Sequence, residues 1–312
     1  MVNNLQFGID LGGTKTEIAV LDGNGQVQFG ARIPTPSQDY QAILQAIVSL
    51  VHQAQLALSV DAQALGVGAP GTPFGAQGRL KNANTTCLIG QALATDLQAL
   101  LQIPVAVAND ANCLVLSEAT DGAGADAPVV FGVILGTGVG GGLTVNQKLV
   151  NGPNRISGEW GHNPLPHWFT DRHGASPARA CYCGQSDCIE TYLSGKGLCQ
   201  TYAELNPGSA VLSDASAIAL AATQADLAAM QTLEHYYDAL SQALATVINV
   251  VDPDVVVFGG GLSQLPGLCD ALAQRLPKHV FGGDVYTKLA IAHHGDASGV
   301  RGAAWLSQSL SA

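Results

Sequence analysis

Phe7-Gly8-Ile9-Asp10-Leu11-Gly12-Gly13-Thr14, near the start of the 312-residue chain, reads as an apolar strand running into a glycine–threonine turn. A second strand, Thr16 to Leu21, follows at once. The same design returns 124 positions later as Phe131-Gly132-Val133-Ile134-Leu135-Gly136-Thr137-Gly138, with Gly142 to Val145 as its second strand. A polar turn follows each pair, Asp22-Gly23-Asn24-Gly25 in one and Asn146-Gln147-Lys148 in the other, the chemistry that closes hairpins. A looser match joins Ala64-Leu65-Gly66-Val67-Gly68-Ala69-Pro70-Gly71 to Val255-Val256-Val257-Phe258-Gly259-Gly260-Gly261, both apolar strands ending in glycine. Two halves of related design are expected, each opening on a strand–turn–strand.

Helical patterns separate these strands. Asp39 to Leu58 is a long amphipathic run through Tyr40, Ile43, Leu44, Ile47 and Val51; Gly90 to Leu101 is shorter. Ser216 to Val251 holds one or two more, with Leu240, Leu244, Val247 and Val251 at helical spacing. Strands alternating with helices give an α/β class with a sheet in each half. The small residues of Asp121-Gly122-Ala123-Gly124-Ala125-Asp126 suit a domain boundary, and His162 to Arg179 reads as an irregular loop.

Composition narrows the function. With 13 Lys+Arg against 24 Asp+Glu the net charge is −11 and the pI about 4.9, so phosphate backbones and anionic lipid are repelled. No nucleic-acid or membrane partner is expected. Hydrophobic residues make up 47% and charged ones 12%, a globular balance. No uninterrupted apolar run approaches the ~18 residues of a membrane span, and Met1 to Asp10 lacks the pattern of a secretion signal. Seven cysteines, an odd number with three in one cluster, speak for thiols or metal ligands over a disulfide framework. The expected compartment is the cytoplasm.

Two familiar phosphate-binding patterns fail. A P-loop counted from Gly8 would need Lys at position 14, where Thr stands. Gly136-Thr137-Gly138-Val139-Gly140-Gly141 matches G-x-G-x-x-G literally, but a strand and turn follow where a dinucleotide fold needs a helix. What remains is a pair of glycine turns whose unhindered N–H groups, with Thr14 and Thr137, could face phosphate oxygens. Asp10 could hold Mg²⁺ through water, and Lys15 could meet a phosphate as a point charge. Read otherwise, the turns are ordinary hairpins and Asp10 a turn residue.

Cys181-x-Cys183-x4-Cys188 places three soft ligands in one loop, a set that suits tetrahedral zinc. His162 is the favoured fourth ligand, with His167 and His173 as rivals. Closed by four protein ligands, such a site is structural. Among the carboxylates, Asp110 follows the apolar run Ile103 to Ala108, at a strand end where α/β sites form, or else it caps the next helix. Glu159 lies three residues before His162, and Glu190 two after Cys188, so a metal-pinned loop would hold all three against a polyhydroxylated ligand.

Together these segments resemble the ROK family of bacterial sugar kinases and repressors. The motifs are Asp10-Leu11-Gly12-Gly13-Thr14-Lys15, Gly68-Ala69-Pro70-Gly71, Asn109-Asp110-Ala111-Asn112, Leu135 to Gly142, Gly158-Glu159-Trp160-Gly161-His162 and Cys181 to Glu190. The resemblance implies an actin/hexokinase-like (ribonuclease H-like) ATPase fold, two related α/β domains flanking a cleft. With the boundary above, residues 1–120 form the N-terminal domain and 121–299 a larger C-terminal domain containing the zinc loop. A C-terminal helix, about 300–312, would pack back on the first.

The resemblance further implies ATP-dependent phosphorylation of a hexose 6-hydroxyl, with Asp110 as catalytic base. Gly71, Asn84, Asn109, Glu159, His162 and Glu190 would contact the sugar. Asp10, Gly12, Gly13, Thr14, Lys15, Thr137, Gly138, Gly259 and Gly260 would serve ATP and Mg²⁺. Zn²⁺ would sit on His162, Cys181, Cys183 and Cys188, and a homodimer is implied. Asp187 stands where the family's cysteine motif usually has its second glycine. No helix-turn-helix precedes the first strand, which sets the repressor branch aside. Lys81-Asn82-Ala83-Asn84-Thr85-Thr86, Trp160 and the long loop after His162 point to the fructokinase/mannokinase branch. The run from His294 to Ala304 is shared with the N-acetylglucosamine kinase branch. Fructose is the preferred substrate on this reading, with N-acetylglucosamine or glucose as alternatives; a sugar-sensing protein without catalysis is the competitor from another class.

Overall fold

The computed structural model describes residues 5–75, 77–83, 85–166, 178–208, 212 and 214–310. Its strands, in chain order, are β1 (Gln6–Leu11), β2 (Lys15–Leu21), β3 (Val27–Pro34), β4 (Leu65–Ala69), β5 (Thr72–Phe74), β6 (Arg79–Lys81) and β7 (Val105–Asn109). They continue with β8 (Val129–Leu135), β9 (Val139–Val145), β10 (Lys148–Leu149), β11 (Val255–Gly259) and β12 (Lys288–Ile291).

One sheet has the order β3-β2-β1-β4-β7 and another the order β10-β9-β8-β11-β12. Counted within each half, both orders are third, second, first, fourth, fifth. The repeated motif of the sequence is the first strand of each sheet, and the looser match is the fourth. In the first sheet β1, β2 and β3 run antiparallel, while β4 and β7 join β1 in parallel. In the second, β10 is antiparallel to β9, and β8, β11 and β12 are parallel neighbours. β5 and β6 form a separate small hairpin.

The chain divides into two compact units. The first comprises Met1–Asp126, Gly142–Ser157 and His293–Ala312; the second comprises Ala127–Gly141 and Gly158–Ala292. The expected domains, 1–120 and 121–299, assign 121–126, 142–157 and 293–299 differently. A hairpin arm thus belongs to the first unit although the strand before it lies in the second. Glu118 shows how the last segment is held there: its buried carboxylate accepts N–H bonds from Ala123, His293 and His294 and a bond from the Ser298 hydroxyl. These four donors favour the charged form and hold its carboxyl below the ordinary range despite burial.

In the first unit, the helix Tyr40–Leu58 starts on Asp39, whose side chain accepts from the N–H groups of Gln41 and Ala42. Its length and mean hydropathy would pass for a membrane span, but its apolar residues form a stripe. Ile43, Ile47, Leu50 and Val51 along that stripe are buried with Phe7, Ile9, Ile18 and Leu65 of the sheet. The helix Ser298–Gln308 packs so closely that a Cβ on Gly66 of β4 would lie 1.8 Å from the Ala303 carbonyl oxygen. Only glycine permits that approach. In the second unit the Ser216-to-Val251 stretch forms two helices, Ala215–Thr223 and Leu227–Val251. The longer buries Tyr236, Leu240 and Leu244, and the Tyr236 hydroxyl donates to the Leu193 carbonyl at 2.9 Å. The helix expected from Gly90 begins at Leu93.

Candidate active site

In the first unit, the parallel pairing sets three chain segments side by side at the strands' C-terminal ends. Asp10 pairs with Gly68, and Ala69 with Asn109. Gly71 follows β4 with φ +86°. Asn109 is the N-cap of the helix Asp110–Asp121, accepting from the Asn112 N–H at 2.8 Å. Asp110 is therefore not the cap. It is the first helical residue, and its carboxylate takes the Ala111 N–H at 2.8 Å.

Burial raises the Asp10 carboxyl to about 6; the carboxylates of Asp110 and Glu17 add to the rise, and Lys15 and Arg32 oppose it. Asp110 keeps surface open to water, yet the depth of protein around it pushes its carboxyl above the ordinary range, partly countered by backbone N–H bonds. Gly12, Gly13 and Thr14 form the turn between β1 and β2, closed by the Gly12 N–H to the Lys15 carbonyl at 2.9 Å. Thr35 braces it, its hydroxyl donating to the Gly12 carbonyl at 2.7 Å and its N–H to the Thr14 carbonyl at 3.0 Å. Lys15 stands 3.8 Å from Glu17, which Arg32 holds more closely at 2.7 Å. Asn84 lies outside the described residues.

The second unit repeats the turn between β8 and β9, with the Gly136 N–H on the Gly138 carbonyl at 3.0 Å and Thr137 exposed. Glu190 reaches this turn, accepting the Val139 N–H at 2.9 Å beside Gly138. Gly259 ends β11 opposite Ile134, and Gly260 has φ +81° with the Leu135 carbonyl oxygen 2.4 Å from where a Cβ would stand. The helix Gly195–Leu205 presents its N-terminus to the same turn: Gly195 N–H donates to the Gly136 carbonyl at 2.8 Å, and the Ser194 hydroxyl caps Gly197.

Beside the turn opens a cavity of about 620 Å³, lined by Thr137, Lys196, Asp214, Ser216, Leu262 and Leu265 among others. Apolar walls, a lysine and hydroxyl groups suit a ligand with a flat body and a phosphate tail. Of these six residues, the sequence singles out only Thr137. Ser194-Gly195-Lys196-Gly197 was the available signal, a capping serine before glycines and a lysine.

The cysteine loop assembles as expected. Donor atoms of His162, Cys181, Cys183 and Cys188 lie within 4.8 Å of one another. His162 turns Nδ1 toward Cys181 Sγ at 3.5 Å, and Cys183 and Cys188 are 3.6 Å apart at sulfur. Sulfurs on a tetrahedral zinc stand about 3.8 Å apart, so the group fits such an ion. His167 and His173 lie outside the described residues. Asp187 adopts φ +57°, which explains the usual glycine there. Its carboxylate offsets the strain by accepting the Arg179 N–H at 2.8 Å and the Tyr192 hydroxyl at 2.7 Å.

Trp160 is part of the scaffold. It is buried, donates Nε1–H to the Gly140 carbonyl at 3.0 Å and meets Phe131 edge-on, ring centres 5.9 Å apart. It is scaffolding under Glu159 and His162.

The strand orders and both glycine turns define an actin/hexokinase-like sugar phosphotransferase. The ROK family model matches residues 6–309, and the chain belongs to that family. It is 42% identical over 303 residues to an N-acetyl-D-glucosamine kinase of Escherichia coli, covering 97% of this chain and 99% of the relative. Among solved structures, a ROK hexokinase from Thermus thermophilus superposes with a TM-score of 0.84 at 26% identity, covering 98% of each chain. A ROK glucokinase from Streptomyces griseus, in complex with glucose and AMPPNP, gives 0.73 at 27% identity over 98% of this chain and 99% of that one.

Proposed function

We propose that this sugar kinase transfers the γ-phosphoryl group of ATP to the 6-hydroxyl of N-acetyl-D-glucosamine. The observation that carries this substrate is the 42% identity with N-acetyl-D-glucosamine kinase along nearly the full length of both chains. The fructose expectation drew on Trp160, the segment around Asn84 and the loop after His162. Trp160 is occupied with the scaffold, Asn84 and positions 167–177 lie outside the described residues, and fructose becomes the second reading.

In this mechanism Asp110 takes the proton of the 6-hydroxyl as attack on phosphorus proceeds. A sugar hydroxyl is far too weak an acid to ionise at neutral pH, so a positioned base must act in step with attack. The raised carboxyl of Asp110 supports that role, because proton affinity nearer neutrality makes a better base. Asn109, fixed by its capping bond, presents its amide to a neighbouring hydroxyl. Gly71 supplies an unhindered backbone approach, and Glu159, His162 and Glu190 bind further hydroxyls. Thr14, Thr137 and the turn N–H groups meet the phosphates, while Gly259 and Gly260 give the nucleoside a close backbone wall. Asp10 and Lys15 serve the Mg²⁺·ATP; the Mg²⁺ that accompanies ATP neutralises charge on the transferring group. His162, Cys181, Cys183 and Cys188 hold a structural zinc, which pins the loop bearing Glu190.

The test is ADP release from MgATP with N-acetyl-D-glucosamine, glucose, mannose and fructose at matched concentrations. The highest kcat/KM is expected for N-acetyl-D-glucosamine. A clear preference for fructose would restore the second reading, and no turnover with any of the four would sink both.

A further inference from the structure

Tyr182 stands between two of the cysteines and belongs to no role assigned above. The residue is 74% exposed, yet its hydroxyl lies 3.0 Å from His162 Nε2. The ring meets the imidazole edge-on, with centres 5.1 Å apart at 89°. The phenolic oxygen thus sits against one of the side chains read above as hydroxyl ligands.

Proton counting makes this arrangement consequential. A neutral imidazole has one N–H, and a nitrogen that ligates a metal carries none. With Nδ1 turned to the thiol group as a metal ligand, the one proton of His162 is left to Nε2, 3.0 Å from the oxygen of Tyr182. One N–H makes one good hydrogen bond, and a sugar hydroxyl and Tyr182 cannot both receive it. We propose that Tyr182 is a displaceable self-ligand of the sugar site: its hydroxyl occupies the place on His162 that a sugar hydroxyl takes, and sugar binding turns the ring away. This rests on the reading of His162, Glu159 and Glu190 as sugar contacts. The neighbouring cysteines fix the backbone at both sides of Tyr182, so the movement is a rotation of the exposed side chain. Little apolar burial opposes it, and the cost is mainly the one hydrogen bond.

Tyr182→Phe removes the competitor while leaving an exposed ring of the same shape. Titration calorimetry with N-acetyl-D-glucosamine, without nucleotide, should show Kd about two- to tenfold lower in Tyr182→Phe than in the natural protein, the worth of one neutral hydrogen bond. In protein labelled with 3-fluorotyrosine, the resonance missing from Tyr182→Phe should shift when the natural protein is saturated with sugar. Equal or weaker binding by the variant, or a resonance that sugar leaves in place, overturns the displacement while the sugar-contact reading stands. A natural protein that binds neither this sugar nor glucose, mannose or fructose overturns both.

Discussion

Position 10 and position 134 occupy the same place in two sheets of the same strand order, one carrying Asp and the other Ile. The glycines after them match, Gly12 with Gly136, but the charge does not. At its strand ends the first sheet concentrates carboxylates, Asp10 and Asp110, both pushed up by burial. The second sheet ends in glycines beside an apolar-walled cavity, and most of that cavity's polar side chains come from segments inserted after the sheet's third strand. The repeated scaffold therefore supplies two similar backbone turns. On the proposed mechanism, different side chains divide the work into proton and metal chemistry on one and nucleoside and hydroxyl recognition on the other.

The sharpest way to break that division is Asp110→Asn. We expect kcat to fall by about a hundredfold or more with sugar affinity kept. Near-natural turnover would move the proton chemistry away from the first sheet. Next in size is the metal. Freshly purified protein should contain one zinc per chain, and Cys188→Ser should lose it together with several kcal/mol of stability in thermal melts. Well under one equivalent of zinc in the natural protein would refute the cluster.

A glycine pair sharpens the contrast within the second sheet. Gly260→Ala forces a Cβ into the Leu135 carbonyl at positive φ and should cost about 3 kcal/mol, whereas Gly136→Ala meets no atom within 4 Å and should cost under about 1 kcal/mol. Equal losses in denaturant titrations would show that the two turn positions are not distinguished as described.

Asp10→Asn should stabilise. Its raised carboxyl means the folded state binds the proton more tightly than the unfolded one, so stability falls as pH rises from about 4 through 6, and the charged form costs up to about 3 kcal/mol above that window. Removing the charge should raise Tm at pH 7 without ligand and flatten the pH dependence, while MgATP turnover drops. An unchanged Tm would place Asp10 in water. The smallest effect is Asp187→Gly, where relief of positive φ and loss of two hydrogen bonds nearly cancel, leaving a change within about 1 kcal/mol. A much larger loss would make this carboxylate a main support of the cysteine loop.

Much of this was legible in the chain itself. Periodicity and turn chemistry are local, so the hairpins at Gly12 and Gly136, the helix after Asp39 and the failure of both phosphate-loop patterns could be read directly. The duplication was visible because apolar strands and glycine turns repeat in order. The cysteine spacing brought three thiols together because a short loop leaves them little room to part. Asp110 shows the limit: in sequence it could be a cap or a free carboxylate, and one hydrogen bond from Asn112 to Asn109 decides it.

Tertiary structure alone decided what depends on distant segments meeting. The arm at 142–157 belongs to the first unit, and Glu118 gathers N–H groups from residues 175 and 176 positions away. Trp160, in sequence only a marker of the fructokinase/mannokinase branch, is spent on Phe131 and Gly140. Tyr182, the residue between two cysteines, has its hydroxyl 3.0 Å from His162 Nε2. Sequence thus determined the local frame and the types of chemistry it carries. Raised carboxyls, the shape of the cavity beside Thr137 and competition for a single N–H arise only from burial and proximity across the chain, which no local pattern encodes.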